Sequence, residues 1–176
     1  MKKRFVLLSV LLLAGALMLT GCGSGAPKVD WELKITGDVE KPLTLSYQDL
    51  AKMDMIDLND ILMQKSTGED EITSWSGVLI STLLEQAGAG DFSTVTALAA
   101  DGYAIEISRE ELEGGIVALK DDGEWIAKVA PDDGPIRLVT PQTPANRWVF
   151  QLVELQIHKH PRPIWRDTCL TNAFSH

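Results

Sequence analysis

The sequence predicts an α+β domain, with a mixed, mostly β core carrying two or three helices. Three observations predict it. Short alternating or apolar runs recur between residues 31 and 157, bounded by turn residues. Two Ser-x-x-acid boxes and one apolar stripe at helical spacing mark the helices among them. The order is neither a regular β-α-β alternation nor a plain β pattern. At 176 residues the chain is long enough for one domain. Its 45% hydrophobic and 23% charged content is ordinary for a globular protein and excludes disordered, collagen-like and disulfide-scaffold classes.

Each element has its own justification. Trp31-Glu32-Leu33-Lys34-Ile35 alternates and reads as a strand ending at Gly37. Leu43-Thr44-Leu45 is a short strand. Ser46 with Asp49 then caps a helix running to about Met53. Residues 55–65 are ambiguous, but Ile56, Leu58 and Ile61-Leu62-Met63 favour extended structure, and 67–71 is a polar loop. Residues 78–87 put Val78, Leu79, Leu83 and Leu84 on one helical face before Gly88. Strands follow at 95–99 and 103–107 about an Asp101-Gly102 turn. Ser108 with Glu111 predicts a second capped helix, stopping at Gly114, whose Glu110, Glu111 and Glu113 form a solvated face. Residues 116–119 and 125–129 flank Asp121-Asp122-Gly123 as a hairpin, and strands are expected at 136–140 and over 148–157.

The ends differ from this body. Lys2-Lys3-Arg4, the apolar run from Phe5 to Leu19, and Leu19-Thr20-Gly21-Cys22 read as a secretory signal over residues 1–21 with a bacterial lipobox. The run is too short for a good transmembrane helix. Cleavage before Cys22 and lipidation of its sulfur would anchor the chain on the extracytoplasmic face of the cell membrane. Residues 22–30 would then form a tether. No Arg-Arg pair is present, so export through the general secretory route, as an unfolded chain, is expected. A lipidated Cys22 leaves Cys169 without a disulfide partner. Residues 158–176 read as an extension beyond the domain.

Charge sharpens the division. Removing residues 1–21 takes away three bases and no acids, leaving 13 bases against 25 acids. A chain this acidic is a poor partner for nucleic acid or anionic lipid. The imbalance lies in residues 30–133, whereas 134–176 has more bases than acids and holds all three His.

The landmarks also occur in a characteristic order. Gly37, Pro42, Leu45-Ser46 and Leu50 precede Trp75-Ser76-Gly77-Val78, Leu83-Leu84 and Ala87-Gly88. Asp101-Gly102-Tyr103 follows, then Gly134-Pro135-Ile136-Arg137-Leu138-Val139 with Pro141, Arg147-Trp148-Val149 and Ile157. This series resembles the molybdopterin-binding domain of the sulfite oxidase family, to which the bacterial methionine sulfoxide reductase catalytic subunit belongs. The resemblance covers residues 31–157 and implies the sulfite oxidase-type fold, with molybdopterin as cofactor. It implies basic contacts to the cofactor at Arg147 and Arg137. It also implies a thiolate ligand in residues 57–65, which suits a soft, redox-active metal. No Cys stands there. Pro131-Asp132-Asp133 occupies the place of a family His, and Phe150-Gln151 that of a family Lys. Two acids there would repel a pterin phosphate.

Other site candidates are fewer. His158 and His160 would share one face of an extended segment, with Cys169 further along, as candidate metal ligands, although their spacing matches no standard zinc pattern. Trp75, Tyr103, Trp125, Trp148 and Trp165 read as packing or surface aromatics. Taken together, the sequence describes a ligand-binding or redox-accessory lipoprotein lacking the family's Cys ligand. Its partners would be the membrane and a small anion or redox protein, and its cofactor is unassigned, with molybdopterin disfavoured. Two alternatives stay open: an active molybdopterin-dependent oxidoreductase with an unusual metal ligand, and a structural or partner-docking lipoprotein with an empty pocket.

Overall fold

The computed structural model describes residues 25–159. Strand β1 (Glu32–Gly37) buries Leu33 and Ile35 and exposes the residues between, which is the alternation that gives it one core face. It pairs antiparallel with β2 (Leu43–Ser46). Helix α1 (Tyr47–Leu50) follows at once, because the capping box forms as expected. The Asp49 N–H donates to Ser46 Oγ, and the Ser46 N–H donates back to the Asp49 carboxylate. The helix stops at Leu50, before Met53.

Strands β3 (Ile56–Met63) and β4 (Glu71–Leu79) form an antiparallel hairpin. Helix α2 (Ile80–Ala87) then buries Ile80, Leu83, Leu84 and Ala87. It begins two residues later than its apolar stripe suggests, because Gly77, Val78 and Leu79 remain paired in register with Ala118, Val117 and Ile116. Gly88 closes it in the left-handed conformation, and its N–H donates to the Leu84 and Glu85 carbonyls.

Strands β5 (Thr94–Ala99) and β6 (Ala104–Ser108) pair about the Asp101-Gly102 turn. After Ser108 the structure corrects the sequence reading. Ser108 and Glu111 do exchange their two bonds, but residues 109–113 turn without forming a helix. A second correction falls after β7 (Ile116–Asp121). The returning strand β8 is only Glu124–Trp125, and Ile126–Val129 is helix α3. Trp125 packs edge-on against Tyr47 with centroids 6.3 Å apart, and Ile126 joins a different cluster, so the chain turns where extended pairing would have continued. Strands β9 (Arg137–Val139) and β10 (Leu152–His158) complete the fold; β10 starts four residues later than expected, because Val149 bridges to Leu138 of β9 and Gln151 takes a φ of 50°.

The strands make two sheets. One has the order β2-β1-β10-β5-β6, with its one parallel pair between β1 and β10. The other has the order β3-β4-β7-β8, with β9 also paired to β7. The main core draws side chains from both sheets and from α1 and α2. Because side chains alternate along β7, Val117 and Leu119 enter that core while Ile116 and Ala118 enter a smaller one with Trp75, Ile126, Val139 and Trp148. Burial on both faces explains why residues 116–119 read as an unbroken apolar run. The mixed, mostly β core with three described helices is the α+β class expected.

Candidate functional site

The smaller core is the floor of the candidate site. Trp75 and Trp148 meet edge to face at 6.0 Å, with their indole N–H groups donating to Thr73 Oγ1 and the Thr140 carbonyl. Above Trp75 lies Arg137, carried in by β9 through its pairing with Ala118. Its guanidinium is 4.7 Å from the Trp75 ring centroid and 3.6 Å from that of Phe150. The side chain is only 8% exposed. Burial pulls its pKa down to about 10, against the raising influence of Asp121 and Asp133. The Asp133 carboxylate is 3.8 Å away, a loose contact, and Arg137 Nε is buried with no partner among the described residues. Burial raises the Asp121 carboxyl, and the Arg137 charge offsets part of that.

Arg147 is held differently. A short 3-10 turn (Ala145–Arg147) aims it at residues 106–111. There Nη2 donates to the Glu106 carbonyl at 3.0 Å and to Glu111 Oε2 at 2.8 Å. Glu111 also accepts from the Ser108 N–H at 2.8 Å. Burial pushes the Glu111 carboxyl up, but the bonds from Ser108 and Arg147 outweigh it and hold it below its ordinary value. Glu111 is thus an ion-pair partner and not part of a solvated helix face. The signal that could have found it is the Ser108 box, which fixes the carboxylate in space. Tyr103 is exposed, and its hydroxyl reaches the Asn146 carbonyl at 3.4 Å.

The three departures from the family pattern now have physical roles. Asp133 is, with Asp121, one of two carboxylates that act on the Arg137 charge. Phe150 covers the arginine's face, and Gln151 Nε2 donates to the Asp132 carbonyl at 3.1 Å, tying the acidic turn down. Strand β3 offers oxygen donors, with Asp57, Asn59 and Asp60 exposed about a register shift at which Asp60 takes φ 54°. Neither of the chain's two Cys is among the described residues. The donor set on β3 therefore does not fit a thiolate-ligated molybdenum.

The remaining candidates lie apart. His158 sits in β10, and its Nε2 is 2.9 Å from Thr96 Oγ1 on the neighbouring β5. No group of three or more His, Cys, Asp or Glu able to hold a metal occurs among the described residues. His160, Cys169 and Cys22 lie outside the described residues. No described helix is long and apolar enough to cross a membrane.

Two sheets packed about a main and a smaller core make up a fold of the molybdopterin-binding oxidoreductase type. The structure is similar to that of the sulfane dehydrogenase SoxCD from Paracoccus pantotrophus, with a TM-score of 0.62 and 24% identity over 78% of this chain. The match spans 41% of the SoxCD chain, so the present chain corresponds to less than half of it. The family described as the oxidoreductase molybdopterin binding domain matches residues 24–165. The protein belongs to that family. No curated protein matches it.

Proposed function

We propose that this protein is a lipid-anchored, extracytoplasmic member of the family that serves as a ligand-binding or redox-accessory module and not as a molybdenum oxotransferase. The observation that carries the reading is the pairing of Arg137 with Asp133 beneath Phe150, together with a β3 strand that bears no thiolate. Where a phosphate would need an open guanidinium, the chain supplies its own carboxylate and an aromatic cover. Arginine suits phosphate and carboxylate anions because its donors are forked. In this reading a small anion takes the place of the loosely held Asp133 carboxylate and reaches the unpartnered Nε of Arg137, and Arg147 contributes on exchange of Glu111. The signal-like residues 1–21 and Cys22 support anchoring of the mature chain through lipid.

The test uses the full chain purified from membranes. Pyrophosphate, as probe, should raise the thermal midpoint, and Asp133→Asn should enlarge the rise by removing one of the two carboxylates that act on Arg137. No rise in either protein would overturn anion binding and favour the docking lipoprotein, a reading that the internal pairing of Arg137 also supports. Separately, Cys22→Ala should move the chain from the membrane to the soluble fraction; retention at the membrane would overturn the anchor.

A further inference from the structure

A cleft of about 840 Å3 opens beside α2, lined by none of the residues that hold Arg137. Its floor is apolar, formed by Ile80, Leu84, Phe92 and Leu112. Its rim carries Glu40, Glu85, Glu110 and Glu113, all exposed and none in an ion pair among the described residues. The one base on the lining, Arg109, is already paired with Asp91 and sits 5.1 Å from the Phe92 ring centroid. An apolar floor under unpaired carboxylates fits an occupant with a large apolar side chain flanked by positive charge.

The described chain ends bonded to residues that neighbour two segments of the cleft lining. The Lys159 N–H donates to Asp38 at 2.8 Å, and the His158 carbonyl accepts from the Ser93 N–H at 2.8 Å. Asp38 is two residues from Glu40, whose N–H donates to the Gly88 carbonyl, and Ser93 follows Phe92. Strand β10 therefore delivers the chain between two segments that line the cleft. Residues 160–176 come next and contain Arg162-Pro163-Ile164-Trp165-Arg166. At roughly 3.3–3.6 Å per extended residue, Arg162 reaches about 10 Å and Trp165 about 20 Å from Lys159, whose partner Asp38 is two residues from the lining residue Glu40.

We propose that residues 160–176 dock in this cleft of their own chain, with Trp165 on the apolar floor and Arg162 and Arg166 against the rim glutamates. The charges set the register, and the indole supplies most of the buried apolar area. This assigns the extension a seat that the arginine site does not provide, and it stands whether or not that site binds an anion.

Hydrogen exchange read by mass spectrometry on the full chain tests it. A variant carrying Arg162→Glu, Trp165→Ala and Arg166→Glu leaves every described residue unchanged. Amides of residues 88–92 and 109–115 should exchange about tenfold faster in the variant than in the parent, because docking closes that edge. Glu110→Lys with Glu113→Lys, introduced from the cleft side, should accelerate the same amides. Unchanged exchange in both variants would overturn the proposal. Protection that grows with protein concentration would overturn it too, since the cleft would then hold the segment of a second copy.

Discussion

The guanidinium of Arg137 lies 3.6 Å from the centroid of the Phe150 ring and 4.7 Å from that of Trp75. The negative faces of the two rings offset part of the cost of burying this cation. Phe150 is 40% exposed, so it acts as a lid more than as core. Phe150→Ala should lower stability by about 1–2 kcal/mol through the lost contact and admit solvent to the arginine. Denaturation with urea checks the first effect, and faster modification of Arg137 by phenylglyoxal checks the second. A variant as stable as the parent, with Arg137 still protected, would show that Phe150 covers nothing.

The Glu111–Arg147 pair gives a pH dependence with a definite sign. The folded-state pKa of Glu111 is held below its ordinary value of 4.5. A depressed carboxylate contributes stability that is fully present above the unfolded pKa and is lost as pH falls through the folded one. The thermal midpoint should therefore decline below about pH 4.5, and Glu111→Gln should flatten part of that decline while lowering the plateau at neutral pH. Thermal melts of both proteins between neutral pH and pH 3 measure it. Parallel curves would remove Glu111 from the account.

Gly77 is the glycine of the Trp-x-Gly-Val segment, and backbone packing explains it. A Cβ built there would collide with the Val117 carbonyl and the Ala118 Cα on the paired strand. Gly77→Ala should cost about 1–3 kcal/mol or more, since backbone must move to admit the methyl group. Ser81→Ala, on the exposed face of α2, should change stability by less than about 0.5 kcal/mol. Comparable losses in the two variants would contradict the packing argument.

Tyr47 is fully buried in α1, and its hydroxyl has no partner among the described residues. Burial pushes its pKa up to about 12. Removing an unsatisfied buried hydroxyl relieves its desolvation cost, so Tyr47→Phe should leave stability unchanged or raise it by about 1 kcal/mol. A clear loss in chemical denaturation would reveal a bond that the hydroxyl makes.

Most of the fold was legible because its signals are local. The Ser46 and Asp49 box, the Gly88 stop, the Asp101-Gly102 turn and the alternation of Leu33 and Ile35 each reflect chemistry within a few residues. The failures have a common cause in tertiary pairing. Val78 and Leu79 fit a helical stripe, yet β7 keeps them in a sheet. Ser108 and Glu111 form their box, yet Glu111 is drawn to Arg147, 36 residues away, and no helix follows. Residues 126–129 looked extended until Trp125 and Ile126 were seen to enter different cores. At the candidate site, the substitutions Asp133 and Phe150 could be read as departures from the family pattern. Their convergence on Arg137 could not, because it depends on β7, β9 and the segment before β10 meeting in space.

We propose that this family member carries no molybdenum cofactor, because β3 bears no thiolate. The most direct test is the molybdenum content per chain of the full-length, membrane-purified protein, expressed in a host that makes molybdopterin, with oxidised-pterin fluorescence read on the same sample. Molybdenum and pterin are expected at background, unchanged by Asp133→Asn. Near-stoichiometric molybdenum accompanied by pterin would contradict it and restore the oxidoreductase with an unusual metal ligand.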